Sequence, residues 1–256
     1  MQQKITYELP LNERVRTLLR LEFLFLQARH TLDGVTVLDS RATLASILDI
    51  LTVSSRTDLK SEALKELERH AATLGLLDKV VGVDLAALGL ILDQLDSLID
   101  RFHAMSGQPG QALRQNEFLN SIKQRSGIPG GLCDFDLPVY HFWLQQPAEQ
   151  RISDLRQWLG SLDTLRLSIE LILRLLRESA LPKQEVALGG FYQKSLDADN
   201  PSCQLVRVFV PAESRYYAEI SGGKQRFTVR FMEPVANGRA VQATDDVEFE
   251  LTCCIL

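Results

Sequence analysis

Up to about residue 180 the apolar positions recur at helical spacing almost throughout; after Pro182 they switch to short alternating runs separated by glycine, proline and asparagine. A period of 3.6 giving way to a period of 2 predicts helices followed by strands. The expected fold class is α+β, an N-terminal helical bundle over 1–180 followed by a C-terminal antiparallel β domain over 181–256.

Within the helical part, Asn12 is placed to cap a helix over 12–30, with Glu13 in its first turn and Val15, Leu18, Leu19 and Leu26 as its apolar stripe. Arg16 and Arg20, four residues apart, share one face of it. Between Ser55 and about Leu77, Leu64, Leu67, Ala71 and Leu74 mark a second or third long helix, with Asp58 and Glu62 near its start. Another runs from Asp84, with Leu85, Leu88, Leu92, Leu95, Ile99 and Phe102 along one seam and Asp93, Asp96 and Asp100 opposite. Those carboxylates lack the loop and glycine of a calcium-binding hand and form a solvated face. The helix over 161–179 is apolar around most of its circumference, with Arg166, Glu170, Arg174 and Glu178 on a narrow polar strip. Such a helix is central in a bundle or lies in a subunit interface.

Between the helices, residues 126–138 are dense in turn formers, and Asp136 is placed to cap a helix bearing Tyr140, His141, Phe142 and Trp143. No Gly-Lys-Ser/Thr follows these glycines, so the loop is not a phosphate cradle.

In the strand part, Gly222-Gly223 separates two alternating runs and predicts a two-residue hairpin. That register pairs Ser221 with Lys224, Glu219 with Arg226, Tyr217 with Thr228 and Arg215 with Arg230. Tyr216, Ala218, Ile220, Phe227, Val229 and Phe231 then face a core. The opposite face carries four cations, Arg215, Lys224, Arg226 and Arg230, against one anion, Glu219. Like charges opposed across a ladder are unfavourable by a few tenths to about 1 kcal/mol. Two readings stay open: a solvated strand face whose long side chains splay apart, or a docking surface for an anionic ligand.

Composition narrows the function classes. At 256 residues and 28.8 kDa the chain can bury roughly three quarters of its unfolded surface without staples. With 45% hydrophobic and 24% charged residues it is neither disordered nor fibrous. The first ten residues carry no signal-peptide stretch, and no run of about 18 apolar residues suggests a membrane span, so a soluble protein is expected. Cys133, Cys203, Cys253 and Cys254 follow neither disulfide-framework nor zinc spacing, and a reducing cytoplasm is expected. The last four residues formally match a prenylation box, but no polybasic segment precedes them, and they read as the end of a strand. Cys133, Asp134, Asp136 and His141 supply a thiol and a base, yet no active-site signature surrounds them. A non-enzymatic chain with no metal and no cofactor is expected. Net charge is −5, which disfavours nucleic acid as a partner, although phosphate contacts through the basic hairpin remain the alternative.

Several segments together resemble the ZapD family of bacterial cell-division factors: Pro10 to Arg16, Leu19 to Phe23, Ile128 to Gly131 with Cys133, Phe135 to Pro138, Gly190 to Gln193, Ile220 to Gly222 with Lys224, Arg226-Phe227, Arg230 to Met232, and Cys253-Cys254. The likeness spans the chain in unchanged order; Gly223, the two residues after the double cysteine and residues 31–53 depart from it. The resemblance implies a homodimer at the cytoplasmic mid-cell division site. It further implies binding of the tubulin-like GTPase FtsZ, through its C-terminal tail and a positive surface, and cross-linking of protofilaments into bundles. The implied partner-binding residues are Arg16, Arg20, His141, Lys224, Arg226 and Arg230, with Arg56 and Arg125 outside those motifs and Arg215 added by the hairpin face.

Overall fold

The structure, a computed structural model, describes residues 3–55, 58–196, 203–223 and 225–255. In chain order a strand β1 (Lys4–Pro10) precedes nine helices among the described residues: α1 (Glu13–Leu32), α2 (Val37–Ser54), α3 (Leu59–Gly75), α4 (Leu85–Ala104), α5 (Gln111–Arg114), α6 (Glu117–Ser126), α7 (Pro138–Leu144), α8 (Ala148–Gly160) and α9 (Asp163–Glu178). Strands β2 (Lys183–Ala187), β3 (Phe191–Ser195), β4 (Leu205–Pro211), β5 (Tyr217–Gly222), β6 (Arg226–Glu233), β7 (Val241–Gln242) and β8 (Val247–Cys254) follow. Helices followed by antiparallel strands are as the spacing predicts, except that β1, at the start of the part read as helical, is a strand and pairs with β4. No described helix is long and apolar enough to cross a membrane. The chain forms two compact units, Met1–Arg16 with Leu173–Leu256, and Thr17–Ile172.

The first unit is a β sandwich. One sheet has the order β1-β4-β8-β2; the other has β3-β6-β5, with β7 paired to β6. Alternate residues of both sheets meet in one core: Val206, Val208 and Val210 of β4, Phe227, Val229 and Phe231 of β6, and Val247, Phe249 and Leu251 of β8. Phe249 stands edge-on to Tyr192, with centroids 5.3 Å apart, and lies 5.1 Å from Phe231, so aromatic rings bridge the sheets. On the far side of the first sheet, the last turn of α9 is anchored by Glu8. This carboxylate accepts from Arg177 Nε at 2.9 Å and from Arg207 Nε at 2.9 Å. Burial alone would raise its pKa, but the hydrogen bond and charge of Arg177, followed by Arg207, outweigh that and hold it below the ordinary glutamate value.

The hairpin register differs from the predicted one. Glu219 lies opposite Arg230, Ser221 opposite Thr228 and Gly222 opposite Phe227, and Gly223 N–H bonds to the Arg226 carbonyl at 3.0 Å. A two-residue primed turn on Gly-Gly needs positive φ, which neither Gly222 nor Gly223 adopts. Gly222 serves instead for close approach: a Cβ there would lie 2.5 Å from the Cβ of Phe227. Because each strand is displaced by an even number of residues, the inner and outer faces survive the shift. Ala218, Phe227, Val229 and Phe231 are buried as predicted, while the opposition of Arg215 to Arg230 is not formed.

Along the helices the caps are local and recognisable. Asn12, at the head of α1, accepts from Val15 N–H at 2.8 Å, and Asp58 heads α3. Thr36 and Asp39 form a reciprocal capping box on α2. The buried seam of α1 runs through Val15, Leu18, Leu21, Phe25 and Ala28, so Leu26 falls on the wet side at 58% exposure rather than in the predicted stripe. The seam of α3 likewise follows Leu59, Ala63, Leu67 and His70. Asp93, Asp96 and Asp100 are exposed on α4.

Two measurements check these packing arguments. Gly222→Val is expected to destabilise the chain by about 1–3 kcal/mol through overpacking against Phe227, read as a lowered thermal midpoint. Glu8→Gln is expected to lower stability at neutral pH. Because the folded carboxyl has a depressed pKa, its contribution is present above the unfolded value of 4.5 and disappears as pH falls through the folded one. The wild type and the variant should therefore converge in acid in denaturant titrations.

Candidate functional site

The sandwich presents a basic face built by alternation. With Phe227, Val229 and Phe231 turned inward, Arg226, Thr228 and Arg230 of β6 must turn outward. Arg226 lies opposite Ser195 and Arg230 opposite Phe191, across the β3–β6 pair. Both arginines are exposed, and among the described residues neither makes an ion pair. Glu219 sits across from Arg230 but accepts from the Tyr217 hydroxyl at 3.2 Å. Ser221 and Thr228 hydroxyls share a 2.8 Å hydrogen bond in the same row.

Arg215 does not join this face. It pairs with Asp245 at 2.6 Å, while its guanidinium lies 4.7 Å from the Tyr216 ring centroid and hydrogen-bonds that phenol. Arg16 is half-buried, pairs with Glu13 at 3.1 Å and donates to the Pro10 carbonyl. Arg56 and Lys224 lie outside the described residues.

The helical unit builds a second candidate surface on the turn-rich segment, where Arg41 and Asp134 both line a depression. Successive turns run from Arg125 to Leu137, with Ile128 N–H to Arg125 O at 3.0 Å, Gly131 N–H to Ile128 O at 2.9 Å and Leu137 N–H to Cys133 O at 2.9 Å. Gly131 is required there, since a Cβ would stand 2.6 Å from the Arg125 carbonyl oxygen. Helix α7 starts at Pro138 without a side-chain cap, so Asp136 does not cap it as predicted; it forms an ion pair with Arg125 at 3.6 Å instead. Proline supplies the start because its fixed φ suits the first helical position.

The orientation of α7 is set by its aromatics. Tyr140 and Trp143 are buried, their rings stacked at 6.1 Å, and Trp143 donates to Asp154 at 2.8 Å. Phe118 and Trp158 pack on Trp143 at 5.7 and 5.8 Å. Helical geometry then turns His141 and Phe142 outward. His141 lines a depression of about 660 Å³ with Arg41, the 126–134 segment and Leu144. Burial pushes the Tyr140 phenol upward, and Arg41 partly offsets this by its charge and a hydrogen bond to that hydroxyl. Cys133 lines the same depression, but among the described residues no hydrogen bond joins it to His141. Exposed Ile128, Phe135, Val139 and Phe142 give this surface an apolar component, Phe135 at 79%.

Arg20 is exposed on α1 and makes no ion pair among the described residues. Arg41 was missed by sequence reasoning because residues 31–53 carry none of the motifs used. The Thr36-x-x-Asp39 box was the available signal for a helix placing Arg41 just inside its start.

Buried Arg151 holds the frame of this surface. Its guanidinium donates to Ser40 Oγ at 3.0 Å and to the carbonyls of Val35 at 2.9 Å, Leu144 at 3.3 Å and Gln146. One side chain of α8 thus fixes the start of α2, next to Arg41, and the end of α7, next to His141.

Comparison with known proteins adds an independent finding. The family pattern described as "ZapD, Cell division protein" matches residues 19–230. "Cell division protein ZapD" of Methylococcus capsulatus is 47% identical over 256 residues, covering 100% of both chains. The protein of that name from Azoarcus sp. is 40% identical over 252 residues, covering 98% of this chain and 100% of its own. That of Coxiella burnetii is 38% identical over 252 residues, covering 98% and 97%.

Arg151→Ala removes charge-assisted hydrogen bonds to three segments and strands the carbonyls they satisfied. It is expected to cost about 2–4 kcal/mol of stability, measured by denaturant unfolding followed at Trp143 and Trp158.

Proposed function

Because the chain belongs to the ZapD family of cell-division proteins, we propose that it binds FtsZ and, as a homodimer, cross-links FtsZ protofilaments into bundles that promote Z-ring assembly. It acts in the cytoplasm at the mid-cell division site and performs no catalysis. The observation that carries this reading is the pair Arg226 and Arg230: two exposed, unneutralised guanidiniums on the outer face of one strand in a chain of net charge −5. Guanidinium forks suit carboxylates, and the ligand is the acidic C-terminal tail of FtsZ. On the helical unit, Arg20 and Arg41 supply further cations, the latter lining the depression together with the His141 imidazole. The exposed apolar groups around it suit a peptide better than a bare anion. Arg16, Arg125 and Arg215 enter this reading differently, since their internal partners Glu13, Asp136 and Asp245 compete with any tail.

Bundling follows from valence. A two-fold dimer carries each surface twice, and capture of a second tail on a neighbouring filament becomes effectively intramolecular. Modest affinity at each site then suffices.

Arg226→Glu combined with Arg230→Glu is expected to reduce co-sedimentation with FtsZ polymers at least about tenfold while leaving the dimer mass unchanged in ultracentrifugation. Arg215→Ala should change it by less than about twofold, because that guanidinium is already occupied. Raising salt beyond physiological strength, where the Debye length is about 8 Å, should dissolve bundles. Retained binding by the double variant, or a nucleic-acid gel shift surviving at the same salt, would overturn the assignment.

A further inference from the structure

The four cysteines follow no spacing rule in the sequence, yet strand pairing gathers three of them at one end of the sandwich. Strands β4 and β8 run antiparallel with Val206 opposite Cys253 and Leu205 opposite Cys254. Gln204 N–H continues the ladder to the Cys254 carbonyl at 2.8 Å, which brings Cys203 alongside. Alternation then separates the two terminal cysteines. Cys254 turns toward the end of α9, its Sγ 4.0 Å from the Arg177 carbonyl oxygen. Cys253 turns to the inner face and packs, with Cys203, on the sandwich core. Both residues pack on this inner face, Cys203 buried with its Sγ donating to the Leu205 carbonyl at 3.6 Å and Cys253 half-buried.

This is a polar corner of an otherwise apolar core. Lys183 and Glu185 of β2 face it, as do Tyr192 and Lys194 of β3, with the Tyr192 hydroxyl hydrogen-bonded to Glu185. The hydrogen bond from Cys203 lowers the Cys253 thiol most; burial opposes this, Lys194 helps, Glu185 opposes and Lys183 helps, leaving it at about 7. The same hydrogen bond, then burial, then the charge of Cys253 push Cys203 upward. The corner therefore sets the more acidic Cys253 sulfur beside a Cys203 thiol that keeps its proton.

We propose that Cys203 and Cys253 form a redox pair, which hydroperoxides oxidise to an intramolecular disulfide joining the segment ahead of β4 to the end of β8. In the first step the Cys253 thiolate attacks one oxygen of the hydroperoxide. The O–O bond breaks, an alcohol or water leaves after taking up a proton, and Cys253 becomes a sulfenic acid. In the second step the Cys203 sulfur attacks that sulfenic sulfur. The S–O bond breaks, hydroxide leaves as water with the Cys203 proton, and the S–S bond forms. The first step also prepares the second: once Cys253 is a neutral sulfenic acid, the negative charge that held the Cys203 proton is gone. The hydroperoxide accepts two electrons and the two thiols supply them. Cys254 is excluded as resolving partner because neighbouring strand residues point to opposite faces, and Cys133 lies in the other compact unit.

The test uses the full chain and hydrogen peroxide, followed by alkylation and peptide mapping without reductant. The expected product is a monomer-internal Cys203–Cys253 linkage, lighter by two hydrogens and reversed by dithiothreitol, with Cys133 and Cys254 still alkylable. In Cys203→Ser the linkage is lost and dimedone labels Cys253 instead. Iodoacetamide labelling of wild-type Cys253 should rise with pH around a midpoint near 7. The proposal is overturned if Cys203 and Cys253 both stay alkylable after Cys133 has been oxidised, or if the linkage found joins Cys253 to Cys254 or to another molecule.

Discussion

Alternation along β6 is the constraint on which the rest depends. Phe227, Val229 and Phe231 must enter the sandwich core, and that demand alone drives Arg226, Thr228 and Arg230 onto the opposite face. The driving force is large, since burying each ring or branched side chain contributes about 1.5–3 kcal/mol. The cost of holding two guanidiniums on one strand face is of the order of tenths of a kcal/mol in water. The core therefore decides where the charge goes. The same rule acts on β8, where it sends Cys253 inward toward Cys203 and Cys254 outward toward α9. A basic surface and a thiol pair, unrelated in chemistry, follow from one backbone periodicity.

That periodicity explains why the faces of the hairpin were legible in the sequence while its register was not. Hydrophobic pattern fixes parity, and parity is unchanged by an even shift; turn chemistry fixes register, and Gly-Gly has two different uses. Here Gly222 removes a Cβ beside Phe227 rather than supplying a positive φ, a choice governed by long-range packing that no local pattern encodes. The consequence reaches the electrostatics, because Arg230 gains Glu219 as its neighbour and Arg215 is released to Asp245. In the helical unit the helices were legible from their caps and spacing, whereas Leu26 was placed inside because several faces of α1 are apolar and only tertiary packing selects among them. Arg41 and the role of Arg151 were illegible for a plainer reason: a cation's partners are carbonyls and hydroxyls far along the chain.

A half-buried ion cluster in one unit and a single buried arginine in the other supply fixed points. Glu8 gathers Arg177 and Arg207, so that one carboxylate joins β1, β4 and the last turn of α9. Arg151 has no carboxylate among its hydrogen-bond acceptors and is held by carbonyls and Ser40. Both arrangements convert an unfavourable desolvation into orientation, because each charge is satisfied only when several segments arrive together. In the helical unit the segments so oriented are those next to Arg41 and His141, so the depression takes its geometry from the core as well as from its own turns.

The proposed tail docking reconciles local and global charge. At about 8 Å of screening a ligand senses the arginines it approaches and little of the net charge beyond them, so a −5 chain still offers attractive sites to carboxylates. Over longer distances, and more so at low salt, the negative total repels nucleic acid, whose dense phosphates demand a broad basic field. On the proposed reading, an acidic chain with guanidiniums outside any ion pair discriminates by ligand size: a short acidic peptide fits within one patch, and a polyanion does not. Weak individual contacts then suit filament cross-linking, since a bundle held by many exchangeable ion pairs can form firmly and still be remodelled.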